Sequence, residues 1–205
     1  MAMILAGDTD LDRKRAVILR AARDEFYRVG FDGTKIERVA RTAGVSTATV
    51  YHLFEGKAQL FEMVVEAAAI EVAEKSQSVR PGKGAARERL TEFARRYAAY
   101  MGDPSVWSIF GLVMAERQRF GEVGARFNAL YKADFGKTLI DALRELEENG
   151  ELRLDRASWA AGQFLGMIEH SVFFVPMVRG QDTVVSAVEE IADDAVETFL
   201  ARYSA

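Results

Sequence analysis

Apolar residues recur at helical spacing from one end of this chain to the other. In the first predicted helix, Ile18, Ala22 and Phe26 stand at i, i+4 and i+8, which places them on one face. The alternation of apolar and polar residues that marks a half-buried strand is missing, apart from the short run 152–154, which a loop can hold. The chain is therefore predicted to be all-α.

About nine helices are expected, and local signals place several of their ends. Pro104 stands at a first helical position, and Asp155 is an expected N-cap. Asn149 followed by glycine favours a C-terminus, and Pro176 with Gly180 is expected to end the eighth helix. The predicted helices span residues 12–29, 35–42, 47–53, 57–72, 85–101, 104–119, 123–148, 156–178 and 183–203.

Charge is distributed unevenly along the 205 residues, whose formal net charge is -4. Residues 11–57 hold ten Lys or Arg against six Asp or Glu, so this stretch carries +4 and the remainder carries -8. A basic segment on an acidic body is typical of a protein that touches a polyanion with one end, although many such segments are only solubilising faces.

Several classes of protein are excluded by what the chain lacks. Without cysteine it can form neither disulfides nor thiolate metal sites nor a cysteine nucleophile, which is compatible with a reducing cytoplasm. The apolar start at residues 1–6 is too short for a signal sequence, and no stretch approaches the roughly 20 apolar residues of a spanning helix. We expect a soluble, cytoplasmic protein with no membrane partner.

The segment Thr34–Phe61 has the form of a helix-turn-helix, in which two short helices flank a turn that contains Gly44. Thr34 and Ser46 are the expected N-caps of the second and third helices. Apolar side chains bury one side of the third helix and leave its other side outward. The outward residues are Thr47, Ala48, Thr49, Tyr51 and His52.

Short hydroxyl and methyl groups with one or two rings suit the major groove, where base edges offer donors, acceptors and thymine methyls. Thr34 and Lys57, each at a helix N-terminus, can hold phosphates. Ser46 joins the candidates as the residue that begins the third helix. A glycine-turned hairpin is also a common packing motif in all-α proteins, so spacing alone leaves both possibilities open.

The order and spacing of residues in and around this hairpin resemble those of a known family. The run Arg15–Phe61 resembles the DNA-binding region of the TetR/AcrR family of bacterial transcriptional regulators. The matching residues are Ile18-Leu19, Ala21-Ala22, Phe26, Gly30-Phe31, Thr34, Ile36, Val39-Ala40, Ala43-Gly44-Val45-Ser46, Thr49-Val50-Tyr51, Phe54, Lys57 and Leu60-Phe61.

This resemblance implies a homodimer that places two recognition helices in successive major grooves of a roughly palindromic operator in double-stranded DNA. It also implies a larger C-terminal region that dimerises and holds an effector cavity. We expect the regulator to be a repressor. By the same resemblance, DNA contacts are expected from Thr34, Thr47, Ala48, Thr49, Tyr51, His52 and Lys57.

Two residues depart from the family pattern. Leu53 stands where the family usually has a histidine that reaches a backbone phosphate, so that contact is expected to be missing or supplied by His52. Glu25 replaces a usually apolar residue and is expected to weaken one packing contact. Farther along, the run Ala115–Phe120 (AERQRF) resembles the AefR-like group of effector domains.

We divide the chain into a DNA-binding domain at residues 12–72, with its helix-turn-helix at about 35–54, and an effector-binding and dimerisation domain at 73–205. The Pro-, Gly- and Ser-rich stretch Ser76–Gly84 is the most linker-like part of the chain, and the break is placed just before it.

Aromatic residues and methionines are dense in the second domain, where most are expected to be core. A few polar atoms on otherwise apolar helices also suit a site for a small hydrophobic effector. The candidate effector residues are Trp107, Phe110, Met114, Tyr131, Phe164, Met167 and His170.

Catalytic and metal sites find little support. His170 is one of only two histidines and lacks a second ligand at helical spacing. Gly136-Lys137-Thr138 imitates a phosphate-binding loop, but Tyr131 stands where that loop needs glycine. We therefore expect neither cofactor nor metal and no enzymatic activity. A helical enzyme and a protein-binding scaffold remain as alternatives.

The last two predicted helices suggest a dimer interface. Small residues form a stripe on the eighth helix at Ser158, Gly162 and Gly166. The ninth helix has an apolar seam that consists of Val185, Val188, Ala192, Val196 and Phe199. Paired across a two-fold axis, the two helices would form a four-helix bundle, although packing within one chain explains the same pattern.

Overall fold

The structure, a computed structural model, describes residues 10–179 and 187–205, apart from the side chains of residue 128 and residues 130–135. Within these residues the chain is all-α, and its only pairing of extended backbone is an isolated bridge between Leu152 and Ser204. The helices are α1 Asp10–Gly33, α2 Ile36–Ala43, α3 Thr47–Leu53, α4 Lys57–Ser76, α5 Ala86–Met101, α6 Pro104–Glu116, α7 Gly121–Glu148, α8 Ala157–Glu169, α9 Val175–Arg179 and α10 Val188–Tyr203.

The first helix is interrupted at Gly30, one residue after its predicted end at residue 29. Gly30 has φ 70° and ψ -178°, a combination that only glycine adopts without strain, and Phe31–Gly33 forms a further turn beyond it. Thr34 then donates its hydroxyl to the carbonyl of Gly30 at 2.7 Å. The prediction that Thr34 caps α2 is therefore wrong, because this hydroxyl closes the end of α1, and Lys35 at the N-cap makes no side-chain capping bond.

The eighth helix is predicted to end at about residue 178, and the helical run that the structure describes reaches Arg179, but Pro176 itself does not stop it. A π-helical turn at His170–Phe174 follows α8, and the chain continues as α9 through Pro176 to Arg179. Val175 donates its N–H to the carbonyl of His170, five residues back. This wider turn lets the helix pass a proline, which has no N–H and would collide with the carbonyl four residues earlier in a regular α-helix. Gly180 lies outside the described residues.

Of three other predicted helix starts, two are confirmed and one is wrong. Ser46 accepts a hydrogen bond from the amide of Thr49 and caps α3, as predicted. Asp103 accepts from the amide of Ser105 at 2.8 Å, so that α6 begins with Pro104 in its first turn. Asp155 does not cap α8, since the N-cap position is occupied by Arg156 and has no side-chain bond.

The described residues divide into two compact units. The first comprises residues 10–71 with 108–127, and the second comprises 72–107 with 128–179 and 187–205. The non-helical stretch after Ser76 belongs to the second unit, in which Val79 is buried. The functional division at residue 72 stays a prediction.

Four phenylalanines lie together in the first unit. Phe61 meets Phe26 edge-on at 5.2 Å between ring centroids and stacks on Phe120 at 4.6 Å. Phe31 contacts the other three at 5.0–6.0 Å. Burying an aromatic side chain contributes about 1.5–3 kcal/mol, so this cluster is a large part of the core of a small unit.

In the second unit α10 packs against α5 and α8 of the same chain. Phe164 lies between Phe93 and Phe199, at 6.3 and 5.0 Å between ring centroids. At the edge of this core Arg95 pairs with Asp193 at 2.8 Å, and Arg87 pairs with Glu197.

The predicted dimer seam on the last helix therefore needs a correction. Ala192, Val196 and Phe199 are buried inside their own chain, and Val188 is only half-buried. Because α10 packs against α5 and α8, the three buried side chains are covered by their own chain and are not available to a second copy. Val185 lies outside the described residues.

None of the helices that the structure describes combines the length and the apolar character needed to cross a membrane.

Replacing Gly30 by alanine is expected to destabilise the protein by about 1–3 kcal/mol, because an L-residue is strained at these angles. A Cβ at Gly30 would meet nothing within 4 Å, so the loss is conformational rather than steric. Urea unfolding measures the change.

Gly111→Ala is the matched control. It lies inside α6, where a Cβ also meets open space and φ is negative, and it should stabilise the protein by about 0.4–1 kcal/mol. Equal effects at the two glycines would contradict the assignment of strain to Gly30.

Candidate nucleic-acid interface

The turn between α2 and α3 is built from backbone hydrogen bonds. Gly44 lies in the left-handed region at φ 70° and ψ 29°, and its N–H bonds to the last carbonyls of α2. Val45 donates to the carbonyl of Ala40 at 3.0 Å, which completes the C-terminal cap. Ser46 then starts α3 one residue later, so the angle between the two helices is set within three residues.

The inner face of α3 anchors the helix. Val50 and Phe54 are 1% and 2% exposed. From α1, the guanidinium of Arg15 lies 5.3 Å from the centre of the Phe54 ring and donates to the sulfur of Met63 at 3.3 Å. A helix of seven residues is unstable alone, so these contacts keep α3 in place.

The outer face of α3 lies open to solvent, as the sequence predicts. Thr47, Ala48 and His52 are exposed, and the side chain of Tyr51 is 56% exposed. Thr49 is half-buried, and its hydroxyl shares a 2.8 Å hydrogen bond with that of Ser46. The face thus offers a phenol, an imidazole and small hydroxyl and methyl groups.

The two departures from the family pattern lie at the end of this helix and on α1. Leu53 is half-buried, whereas His52 beside it is exposed. His52 is therefore the side chain in position to replace the missing phosphate contact, and that role stays a prediction.

Glu25, which is expected to weaken one packing contact, forms two ion pairs. Its carboxylate is 10% exposed and lies 2.7 Å from Arg28, on the same helix, and 3.2 Å from Arg38, on α2. The pair with Arg38 ties α1 to α2 and so steadies the helix that precedes the turn. The sequence signals only the pair with Arg28, which stands three residues after Glu25 at helical spacing.

The two predicted phosphate-binding residues are both engaged within the protein. Thr34 is 2% exposed and bonded to Gly30, so its hydroxyl does not reach solvent in this conformation. Lys57, at the start of α4, donates to the carbonyls of Asp32 and Thr34 at 3.3 and 3.2 Å. Its ammonium also lies 4.6 Å from the centre of the Phe31 ring. An ammonium has three donors, so Lys57 keeps one for an external anion.

Two further cations at the ends of α2, of which Lys35 is its N-cap, were not singled out from the sequence. Lys35 and Arg41 are exposed, and neither forms an ion pair with any residue in the described ranges. They lie at the beginning and in the last turn of the helix that precedes the turn. Basic residues so placed are suited to backbone phosphates.

The candidate effector residues have diverse surroundings. In the second unit, Trp107 is 4% exposed and donates to the carbonyl of Met101 at 2.5 Å, while Phe164 belongs to the core. Met167 is half-buried, and His170 is exposed and stacks on Phe174 at 6.0 Å.

In the first unit, Phe110 meets Phe127 edge-on at 4.8 Å, and Met114 is 51% exposed. The side chain of Tyr131 lies outside the described residues. The second unit has an open groove lined by α5 residues and another lined by residues between 187 and 197. None of the seven candidate effector residues lines these two grooves. The effector site therefore stays a prediction.

Together, the helical fold and the capped, solvent-facing third helix define a helix-turn-helix regulator. The profile of bacterial regulatory proteins of the tetR family matches residues 18–64, and that of the AefR-like transcriptional repressor C-terminal domain matches residues 88–205. The second match covers more than half of the chain, so the protein belongs to the TetR family, and the resemblance noted in its sequence is confirmed.

Individual relatives agree with this assignment. The chain is 38% identical over 55 residues to the HTH-type transcriptional repressor AcnR of Corynebacterium jeikeium, and 40% identical over 52 residues to the HTH-type transcriptional regulator RutR of Escherichia coli K12. These matches cover 27% and 25% of this chain and 29% and 24% of the relatives, so the chain spans under a third of the length of each.

Similarity of structure extends much farther. The flavonoid-responsive regulator FrrA superposes with a TM-score of 0.68 at 26% identity, over 94% of this chain and 97% of that one.

Glu25→Gln is expected to lower the free energy of unfolding by about 1 kcal/mol. The loss is moderate because Arg28 and Arg38 are 53% and 49% exposed and can return to water. A double-mutant cycle with Arg38→Gln, followed by urea unfolding, isolates the link between α1 and α2.

The control is Asp24→Asn. Asp24 is 73% exposed and lies 3.9 Å from Arg23, so its change should stay within about 0.5 kcal/mol. A coupling energy of zero between residues 25 and 38 would show that their ion pair does not hold the two helices together.

Proposed function

We propose that this protein is a ligand-responsive transcriptional repressor that binds a palindromic operator as a homodimer and is released by a small hydrophobic effector. The observation that carries the proposal is the outer face of α3. Its polar groups lie open to solvent while its inner face is buried, in a chain that belongs to a family of DNA-binding regulators.

Base recognition is assigned to α3. Tyr51 and His52 supply rings with hydrogen-bonding atoms, while Thr47, Ala48 and Thr49 supply hydroxyl and methyl groups for base edges and thymine methyls. Ser46 and Thr49 bond to each other, so one hydroxyl orients the other before DNA arrives.

Phosphate binding is assigned to Lys57, with Lys35 and Arg41 at the two ends of α2 in support. Thr34 acts from inside the protein, where its hydroxyl holds the turn that precedes α2. Phosphate contacts fix the register of the protein on the duplex and leave the choice of sequence to α3.

The dimer is proposed to form through the outer face of α8 and its continuation into α9. Gly162 and Gly166 are exposed there at helical spacing from Trp159, which is 59% exposed. Phe174 and Val178 continue the stripe and are 53% and 69% exposed. Exposed apolar residues in one row are typical of an interaction surface, and the small residues allow another helix to approach closely.

An effector is proposed because the C-terminal match is to a group of transcriptional repressors and because FrrA is named as flavonoid-responsive. For this chain the aromatic and methionine-rich second half favours a small apolar molecule. Transcriptional regulators among its relatives also favour regulation over catalysis.

Selection of bound duplexes from a random DNA pool, followed by a mobility-shift titration, tests the function directly. Tyr51→Ala should relax the sequence preference and weaken binding of the selected duplex by about 5- to 150-fold, because one base contact contributes about 1–3 kcal/mol. Lys57→Ala should weaken all duplexes alike and reduce the salt slope by about one.

Thr198→Ala, which removes an exposed hydroxyl on α10, is the control and should bind like wild type. An enzyme or a scaffold that grips protein would show no salt-sensitive binding to DNA at all. Identical behaviour of the Tyr51 and Lys57 variants would refute the division between base and phosphate contacts.

Trp159→Glu should convert the dimer into monomers, since it replaces an exposed apolar side chain of the proposed interface with a charged one. Sedimentation velocity measures the mass, and the selected duplex should then bind far more weakly because one half-site offers too little contact. Ala99→Glu, at an exposed position on α5, should remain dimeric. A dimeric Trp159→Glu protein would place the interface elsewhere.

A further inference from the structure

The short connection between α6 and α7 reaches the turn that leads into α2. Arg119 donates two hydrogen bonds to Asp32, one from each terminal guanidinium nitrogen to a different carboxylate oxygen, at 2.7 and 3.4 Å. The two residues are 87 positions apart in the sequence. Its guanidinium also lies 4.8 Å from the centre of the neighbouring Phe31 ring. All of these residues belong to the first compact unit.

Phe120 reinforces the same contact. Its ring stacks on Phe61 at 4.6 Å and meets Phe31 at 5.0 Å. Phe31 is 8% exposed and is contacted by two cations, since Lys57 lies 4.6 Å from its centre. The ring of Phe31 on α1 is therefore contacted by Arg119 and Phe120 from the connection and by Lys57 from α4.

The turn held in this way determines where α2 begins. Asp32 and Thr34 offer their carbonyls to Lys57, and Thr34 bonds back to Gly30. Helix α2 starts at Ile36, and its C-terminal turn leads directly to α3. A change at Asp32 therefore alters the start of the hairpin that carries the outer face of α3.

We propose that Arg119 is a positioning residue for operator binding. Its two bonds to Asp32 and its stacking on Phe31 hold residues 30–34 in the arrangement that presents α3 to DNA. This inference rests on the proposed function. Arg119 lies outside the helix-turn-helix and does not contact DNA, but it keeps the helix-turn-helix in the orientation that binds DNA.

The electrostatics at Asp32 support this role. The hydrogen bond from Arg119, with the nearby charges of Arg119 and Lys57, holds the pKa of the Asp32 carboxyl below its ordinary value. An exposed ion pair contributes little to global stability. Its effect is expected on the local order of the turn and on DNA affinity, and much less on overall unfolding.

Full-length protein and the duplex that it selects from a random pool are used for the test. Arg119→Ala should weaken binding by about 3- to 30-fold, the range typical of residues that act through others, with an unchanged slope of log affinity on log salt. Arg119→Lys keeps the charge without the paired bonds and should give an intermediate loss.

Arg117→Ala is the matched control. Arg117 is exposed two residues away and donates to the carbonyl of Met114, so its removal should change affinity less than about twofold. The exchanged pair Asp32→Arg with Arg119→Asp should recover part of the affinity that each single variant loses.

Wild-type affinity in Arg119→Ala would overturn the proposal, and so would a loss that lowers the salt slope by about one, because Arg119 would then contact a phosphate itself.

Hydrogen–deuterium exchange of residues 30–36 without DNA provides a separate readout. Faster exchange in Arg119→Ala is expected, and unchanged exchange would refute the positioning role. A wild-type protein that selects no DNA would instead refute the proposed function.

Discussion

Burial of one side of a seven-residue helix is the constraint on which the candidate interface depends. A helix as short as α3 does not persist alone in water. Val50 and Phe54 are almost fully buried, and Ser46 satisfies the amide of Thr49 at its start. Because the inner residues are held, the opposite residues must face outward, and these carry the hydroxyl, methyl and ring groups that suit base edges.

Polar contacts supply what such short helices lack in apolar area. Glu25 joins α1 to α2 through Arg38, and Lys57 binds the carbonyls of the turn between those helices. Arg119 adds a contact from a distant part of the sequence. Each of these charged groups is engaged close to the hairpin, so the orientation of α3 depends on electrostatic contacts as well as on packing.

The second unit shows how one apolar surface can be assigned to the wrong partner. The seam on α10 has the spacing expected of a dimer interface, yet its side chains pack against α5 and α8 of the same chain. The exposed stripe lies on α8 and α9 instead, and the π-helical turn carries that helix past Pro176. The small residues at positions 162 and 166, which belong to the predicted stripe, are exposed, and their part in a dimer stays a prediction.

The sequence by itself was sufficient to predict the all-α class, the hairpin with its glycine turn, the N-cap at Ser46 and the solvent-facing side of α3. Each of these depends on hydrogen bonds or periodicity within a few residues, so the local order of side chains determines it.

Only the tertiary structure decided that Thr34 closes α1, that Glu25 pairs with Arg38, that Phe120 stacks on Phe61 and that the α10 seam is covered. Most of these partners are far apart along the chain, and helical periodicity shows that a face is apolar or a charge is present without showing what will meet it. The physical reason is that a contact between distant segments depends on how the helices pack, which no local pattern specifies.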